Sequence, residues 1–505
     1  MNTQTDIPNT PNIPPGEFFG HPRALWQLSN IEMWERFAYY GMRALLAVYV
    51  ATTFFSHMGD DANAEASLVY GGYTAMVYAT GIIGGYIADH VLGYQRSILL
   101  GAIIMAAGLF VLLIEDLNWF LVGLALIVAG NGLFKPNIST MIGKLYKPDD
   151  IRRDSGFTIF YMGINLGALI APLITATWIG ATWGFKYGFL AAGIGMILST
   201  LFLEVAKKSL GHIGLPPKDK EGWGRFFAVG AGAIAMSGVV YFLLSESTIL
   251  GYLLVGIMIA LMAYFILAGI RSGDKVQLQR YIAMLILFVA NACFWALFEQ
   301  AGSSMNFFAR EYVTPMFGSM ESWQAGGFGI FQSLNPLYIL LLGLPFAAIW
   351  PWLDKRGMNP SIPRKFALGL IQVALGFYLL VYSINHFQNA AGLVPWIFMA
   401  LVYLLHTTGE LCLSPIGLSM VTKLAAEKET GMAMGGWFLS IAMAQYVAGI
   451  IAAVASGGGG HGMAAGAGIS QYAETYMMLF WIGLGFGIAY LVVAPMINKL
   501  MHGVK

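Results

Sequence analysis

Charge is what this 505-residue chain lacks. Only 10% of its residues are Asp, Glu, Lys or Arg, against about a quarter in an ordinary soluble domain. With 58% hydrophobic residues, the composition excludes a soluble globular fold and points to a polytopic membrane protein. A net charge of +1 excludes the strongly basic balance of a nucleic-acid binder. Cysteine is nearly absent: Cys293 and Cys412 both sit inside apolar runs, which excludes an extracellular disulfide framework. The opening "MNTQTDIPNTPNIPPGEFFG" has neither a basic n-region nor an apolar h-region. It reads as a disordered cytosolic lead-in over residues 1–27 and not as a cleaved signal, so the first span must do the targeting.

Long hydrophobic runs are what the chain has. A span needs about 20 mostly apolar residues, and that window predicts helices near 28–55, 67–89, 96–114, 118–145, 154–179, 185–205, 224–244, 249–270, 280–308, 328–350, 365–385, 394–422, 431–455 and 472–498. The loops give a separate reading. After even-numbered spans they are basic, as in "KLYKPDDIRRD" and "KKSLGHIGLPPKDKEGWGR", whereas "SHMGDDANAEAS", "EDLNW", "SES" and "NHFQNAAG" hold no Lys or Arg. Only Lys186 and Arg310 fall on the poor side, so the positive-inside rule places both termini in the cytoplasm.

The predicted fold is an all-α membrane protein with 14 transmembrane helices in a six, two, six arrangement. It comprises a six-helix bundle over 28–205, a cytosolic linker with an extra helix pair (224–270) over 206–279, a second bundle over 280–500 and a tail at 501–505. A substrate path between two such halves is a common transporter plan.

The charges that remain inside spans need a reason, because each costs roughly 2.5 to 3.5 kcal/mol at the bilayer centre. In the first helix Glu32, Glu35, Arg36, Tyr39, Tyr40 and Arg43 fall within an arc of about 140°, and Glu32 can pair with Arg36 one turn on. Lys135, Glu299 and Glu410 lie in later spans. Four carboxylates thus face three bases. A carboxylate without a base takes up a proton readily, and a chamber holding both signs suits a zwitterion. Tyr161, Asn165, Ser303, Asn306, Gln332 and Asn335 can bond a ligand there or join helix to helix, Trp295 and Trp437 can wall a pocket or pack, and His406 can share a proton with Glu410 or make a plain polar contact.

Several motifs together are recognisable. "ExxERFxYYG" at 32–41, "GNGLFKPN" at 130–137 and "FYMGINLGAL" at 160–169 resemble the proton-dependent oligopeptide transporter family, a branch of the major facilitator superfamily. "GGYIADHVLGYQR" at 84–96 resembles the superfamily's loop between helices two and three, where Gly85 would allow close packing and Asp89 and Arg96 would clamp helix ends on the cytoplasmic side.

The resemblance implies proton-driven uptake of di- and tripeptides across a bacterial inner membrane, with protons as the coupling ion and no other cofactor. Glu32, Glu35 and Arg36 match its proton-coupling motif, and Arg36, Arg43 and Lys135 its receptor for the peptide carboxylate. Glu410, with Asn165 and Asn335, matches the side that receives the amino terminus. Glu299 matches the acid that exchanges pairing with Lys135 as the outer gate moves, while Tyr40, Tyr78, Tyr161, Ser414 and Trp437 match pocket residues. Animal members use a histidine on the second helix; here His57 and His90 flank that helix, so proton binding should rest on carboxylates. The monomer is the expected functional unit, in contact with lipid and not with nucleic acid.

Two other readings stay open: a proton-coupled carrier of another solute such as nitrate, and a membrane sensor without flux. An intramembrane enzyme is disfavoured, since no H-E-x-x-H run and no second Asp occurs within the spans.

Overall fold

The computed structural model describes residues 16–504 apart from 148–149, 218–219, 221 and 458–467, and omits the side chains of 60, 82 and 415. The first 15 residues of the expected lead-in and most of the Gly-rich loop before the last helix lie outside the described residues.

Among the described residues the chain is almost wholly helical. We label its long helices α1 (Arg23–Thr53), α2 (Ala62–Leu92), α3 (Tyr94–Val111), α4 (Leu117–Lys144), α5 (Arg153–Trp183), α6 (Phe185–Leu210), α7 (Trp223–Ser245), α8 (Ser247–Ser272), α9 (Lys275–Tyr312), α10 (Gly327–Asp354), α11 (Ile362–His386), α12 (Trp396–Leu424), α13 (Glu427–Ala455) and α14 (Ile469–Leu500). Thirteen described helices are long and apolar enough to cross a membrane. α1 falls outside that set, and it is the helix that carries Glu32, Glu35, Arg36 and Arg43.

In the first half α1 packs on α5 and α6, and α3 on α4; in the second, α11 packs on α12 and α14, and α9 on α13. The halves meet where α2 crosses α13 and where α10 crosses α5. The extra pair divides its contacts: α7 lies on α4, whereas α8 lies on α9 and α13.

The expected lead-in differs from the structure over residues 16–27. Glu17–Phe18 and His21–Pro22 pair as a short antiparallel hairpin, and α1 begins at Arg23. Polar ties explain the order: His21 Nδ1 lies 2.7 Å from the Tyr146 hydroxyl, and Arg152 donates to Glu17 at 2.8 Å and to the Gly20 carbonyl at 3.1 Å. The same guanidinium bonds Asp150 and holds its carboxyl below the usual range.

The turn between α2 and α3 corrects another expectation. Gly85 faces open space, while a Cβ on Gly84 would lie 1.8 Å from the Gly132 carbonyl oxygen. Gly84 is therefore the close-packing glycine, and it lets α2 press on α4. Asp89 and Arg96 each make a separate contact at these helix ends: Asp89 accepts from the Tyr94 hydroxyl, and Arg96 lies 4.7 Å from the Trp223 ring centre at the start of α7. Arg96 thus ties the first half to the extra helix pair.

Candidate functional site

The polar stripe of α1 is turned inward. Glu32 and Glu35 are 2% and 0% exposed and Arg36 is 4% exposed. Arg36 Nε sits 2.5 Å from Glu35 Oε2 and 3.1 Å from Glu32 Oε1, so one guanidinium serves two carboxylates. Asn131 of α4 donates to the other Glu35 oxygen at 3.3 Å. Glu32 Oε2 and Arg36 Nη2 are left without a partner among the described residues. An unmade hydrogen bond on a buried charged group is costly.

Two turns along α1, Arg43 reaches across to the second half. Its Nη2 donates to Glu299 and its Nε to the Tyr70 hydroxyl. Of the pairings expected to exchange at Glu299, this conformation holds the one with Arg43 and not one with Lys135. Lys135 instead has its ammonium 4.5 Å from the Tyr78 ring centre, and no carboxylate within 4.0 Å is recorded for it among the described residues. Pro136, immediately after it, lies within α4.

Glu410, on α12, is buried and has no base within 4.0 Å among the described residues. It accepts from Asn335 Nδ2 at 2.8 Å, and that amide also reaches Thr407 at 3.1 Å. Ser414 lies half-buried one turn further. His406 is not joined to Glu410: its ring packs on Phe298 and Phe377, and its Nε2 has no hydrogen-bond partner among the described residues.

Other expected residues bond the chain's own backbone or pack within it here, apart from Tyr161. Asn165 donates to the Tyr161 carbonyl at 2.9 Å. Asn306 donates to the Ala44 carbonyl at 3.1 Å, and Gln332 to the Ala301 carbonyl at 2.5 Å. Trp437 is buried against Phe288 and Phe366, and a Cβ on Gly417 would strike it at 2.1 Å. Tyr161 stands 44% exposed.

The charged groups are linked through tyrosines of α1 and α2: Arg36 lies 5.2 Å from the Tyr39 ring centre, and Arg43 lies 5.9 Å from that of Tyr40 and 5.8 Å from that of Tyr70. The halves are also joined by close glycine packing and by side-chain hydrogen bonds. A Cβ on Gly71 would lie 2.7 Å from the Gly449 Cα, Asn63 donates to Glu311 at 3.1 Å, and Ser333 donates to the Leu169 carbonyl at 2.8 Å. These contacts lie toward the face remote from the described termini, where the loops hold few bases. Sequence reasoning missed Tyr70, Asn131 and Gly302, because a tyrosine, an asparagine and a glycine in apolar runs carry no charge signal.

The model of the POT family matches residues 95–466. The chain belongs to the POT family. Its relatives match it over most of their length. A peptide transporter of Yersinia enterocolitica is 37% identical, with 87% of this chain and 89% of that one covered. Dipeptide and tripeptide permease B of Edwardsiella piscicida is 32% identical over 97% of this chain and 98% of the relative. Among solved structures, a peptide transporter POT variant in complex with alafosfalin superposes with a TM-score of 0.80 at 36% identity, covering 97% of this chain and 98% of that one. A POT family transporter bound to 5-aminolevulinic acid superposes with a TM-score of 0.80 at 30% identity, over 96% and 99%. This POT protein is accordingly a multi-pass membrane transporter of the major facilitator type and not an enzyme.

Proposed function

We propose that this POT protein is a proton-coupled symporter that imports di- and tripeptides by alternating access across a bacterial inner membrane, with both termini in the cytoplasm. The observation that carries the reading is the placement of two unpaired opposite charges. Among the described residues Lys135 stands on the first half with no acid within 4.0 Å, and Glu410 on the second with no base within 4.0 Å. A zwitterion with a carboxylate at one end and an ammonium at the other would supply both missing partners, each meeting a charged group already held in place. The spare Arg36 Nη2 adds a further donor on the carboxylate side. The relatives named as peptide transporters support the same substrate class.

The coupling follows from competition for bases. Protonation of Glu299 would neutralise the acid that Arg43 holds and so weaken the bond between halves. A peptide carboxylate would compete with Glu32 and Glu35 for Arg36. Proton and peptide therefore act on linked ion pairs, and the pairs form the two-state element that rocking of the halves exchanges. Each chain holds the complete charge cluster, which supports the monomer as the functional unit.

The test is uptake by purified protein in liposomes. Labelled dialanine should accumulate only when the outside is made acidic, and tripeptides should compete where free amino acids and nitrate do not. Accumulation without the pH step would overturn the coupling, and competition by nitrate or single amino acids but not by peptides would overturn the substrate class.

A further inference from the structure

α9 is interrupted at Glu299–Gly302, where it tightens to a 3₁₀ turn, and Ser303 leaves the helical region at φ −129° and ψ −98°. The interruption is held from within the second half. Gln300 Nε2 donates to the Ala448 carbonyl at 3.1 Å and accepts on Oε1 from Ser304 at 2.7 Å. Gln332 donates to the Ala301 carbonyl at 2.5 Å, and the Tyr403 hydroxyl lies 3.4 Å from the same oxygen. Four polar ties on one short turn make it a rigid socket that does not depend on the first half for its shape.

Tyr70 of α2 enters that socket from the other half. It is 1% exposed, and a Cβ on Gly302 would lie 1.8 Å from its hydroxyl oxygen and 2.4 Å from Cζ. Only glycine leaves the space the ring end occupies. The same hydroxyl accepts from Arg43 Nε, while Arg43 Nη2 holds Glu299, three residues before Gly302. The ring end therefore touches both the base and the backbone of the segment that carries the acid.

We propose that Tyr70 is a positioning residue for transport. Its hydroxyl orients Arg43 toward Glu299 only when the ring end is seated against Gly302, so that the ion pair forms only with the halves closed on this face. The steric register makes the closure discrete. A partly closed face would leave the hydroxyl outside the notch and Arg43 without its second anchor, as expected of a packed interface that has two arrangements and not a continuum. The inference deepens the alternating-access reading and rests on it for its role in transport, although the seating itself is a matter of conformation alone.

The experiment measures spin-label distances in the full chain between His57→Cys and Glu321→Cys, both exposed and on opposite halves, with Cys293 and Cys412 replaced by alanine. Gly302→Ala should raise the population of the long-distance, open form at least five-fold. In a Tyr70→Leu background, which removes the ring end from the notch, the same Gly302→Ala change should alter that population less than two-fold. Tyr70→Phe, which keeps the ring and loses the acceptor, should also favour the open form and lower kcat for peptide uptake with KM changed less than two-fold.

An unshifted distribution in Gly302→Ala, or equal effects of Gly302→Ala in the parent and Tyr70→Leu backgrounds, overturns the proposal. So does a Tyr70→Phe variant with parental distances. Should Gly302→Ala not fold, the Tyr70→Phe arm decides alone. If the distances move as expected while the parent carries no peptide, the socket stands and the peptide reading fails.

Discussion

The Lys135 ammonium stands 4.5 Å from the centre of the Tyr78 ring and has no carboxylate partner within 4.0 Å among the described residues. Cation–π attraction of about 0.5 to 2 kcal/mol offsets only part of the cost of holding a cation in the membrane. A bound carboxylate would supply the rest, so Lys135→Gln should raise KM for dialanine roughly ten- to hundred-fold, the range of a lost charge-assisted hydrogen bond of about 1.5 to 3 kcal/mol. Tyr78→Phe keeps the ring face and should change KM little. An unchanged KM in Lys135→Gln, read by competition uptake, removes Lys135 from the peptide site.

At the opposite pole, Glu410 is bonded by Asn335 at 2.8 Å and should receive the peptide ammonium. Glu410→Gln should weaken dialanine roughly ten-fold or more while changing binding of N-acetyl-dialanine little, since that compound has no ammonium to lose. Equal losses for the two compounds would assign Glu410 to the fold instead.

Glu299 makes its ion pair with Arg43 across the halves. Glu299→Gln retains a partner for Arg43 but cannot change charge, so proton-driven accumulation should disappear while exchange of external for internal peptide persists. Counterflow and pH-driven uptake in the same liposomes separate the two. Net accumulation by Glu299→Gln would move the coupling site elsewhere.

Much of this was legible because charge inside a span is rare and expensive, so Glu32, Glu35, Arg36, Arg43, Lys135, Glu299 and Glu410 stood out against an apolar background. The spans were legible for the same reason, and the Glu32–Arg36 pair follows from helical spacing alone. Which base holds Glu299 was not, because Arg43 and Lys135 have the same charge and only the approach of the two halves decides between them. The Tyr70–Gly302 contact was hidden for a second reason: glycine at a helix break and glycine in a packed crossing look alike in a chain with 62 glycines.

The two adjacent glycines of α2 offer a sharp comparison. A methyl on Gly84 would meet the Gly132 carbonyl oxygen at 1.8 Å, whereas one on Gly85 would meet nothing within 4 Å. Gly84→Ala should destabilise the protein by about 1 to 3 kcal/mol, the usual cost of overpacking. Gly85→Ala should be neutral or slightly stabilising, since alanine is the better helix former by about 0.5 to 1 kcal/mol. Thermal unfolding in detergent orders the pair, and a more stable Gly84→Ala than Gly85→Ala would reverse the assignment.

The extra helix pair is attached to the two halves by different bonds. α7 is held by Arg96 over Trp223 and by Tyr241 donating to Asn118 at 3.1 Å, and α8 by Tyr446 donating to the Ser247 carbonyl at 2.9 Å and by Tyr264 donating to Glu429. None of these residues belongs to the charge cluster. Trp223→Ala should therefore lower thermal stability by about 0.5 to 2 kcal/mol, the range of a cation–π contact, and leave KM for dialanine within two-fold of the parent. Arg96→Ala should lower stability by no less, and the double variant should cost less than the sum of the two, because both remove one contact. Strict additivity in that cycle would show that Arg96 and Trp223 do not hold α7 to the first half together, and a large rise in KM would mean the pair shapes the peptide site from a distance.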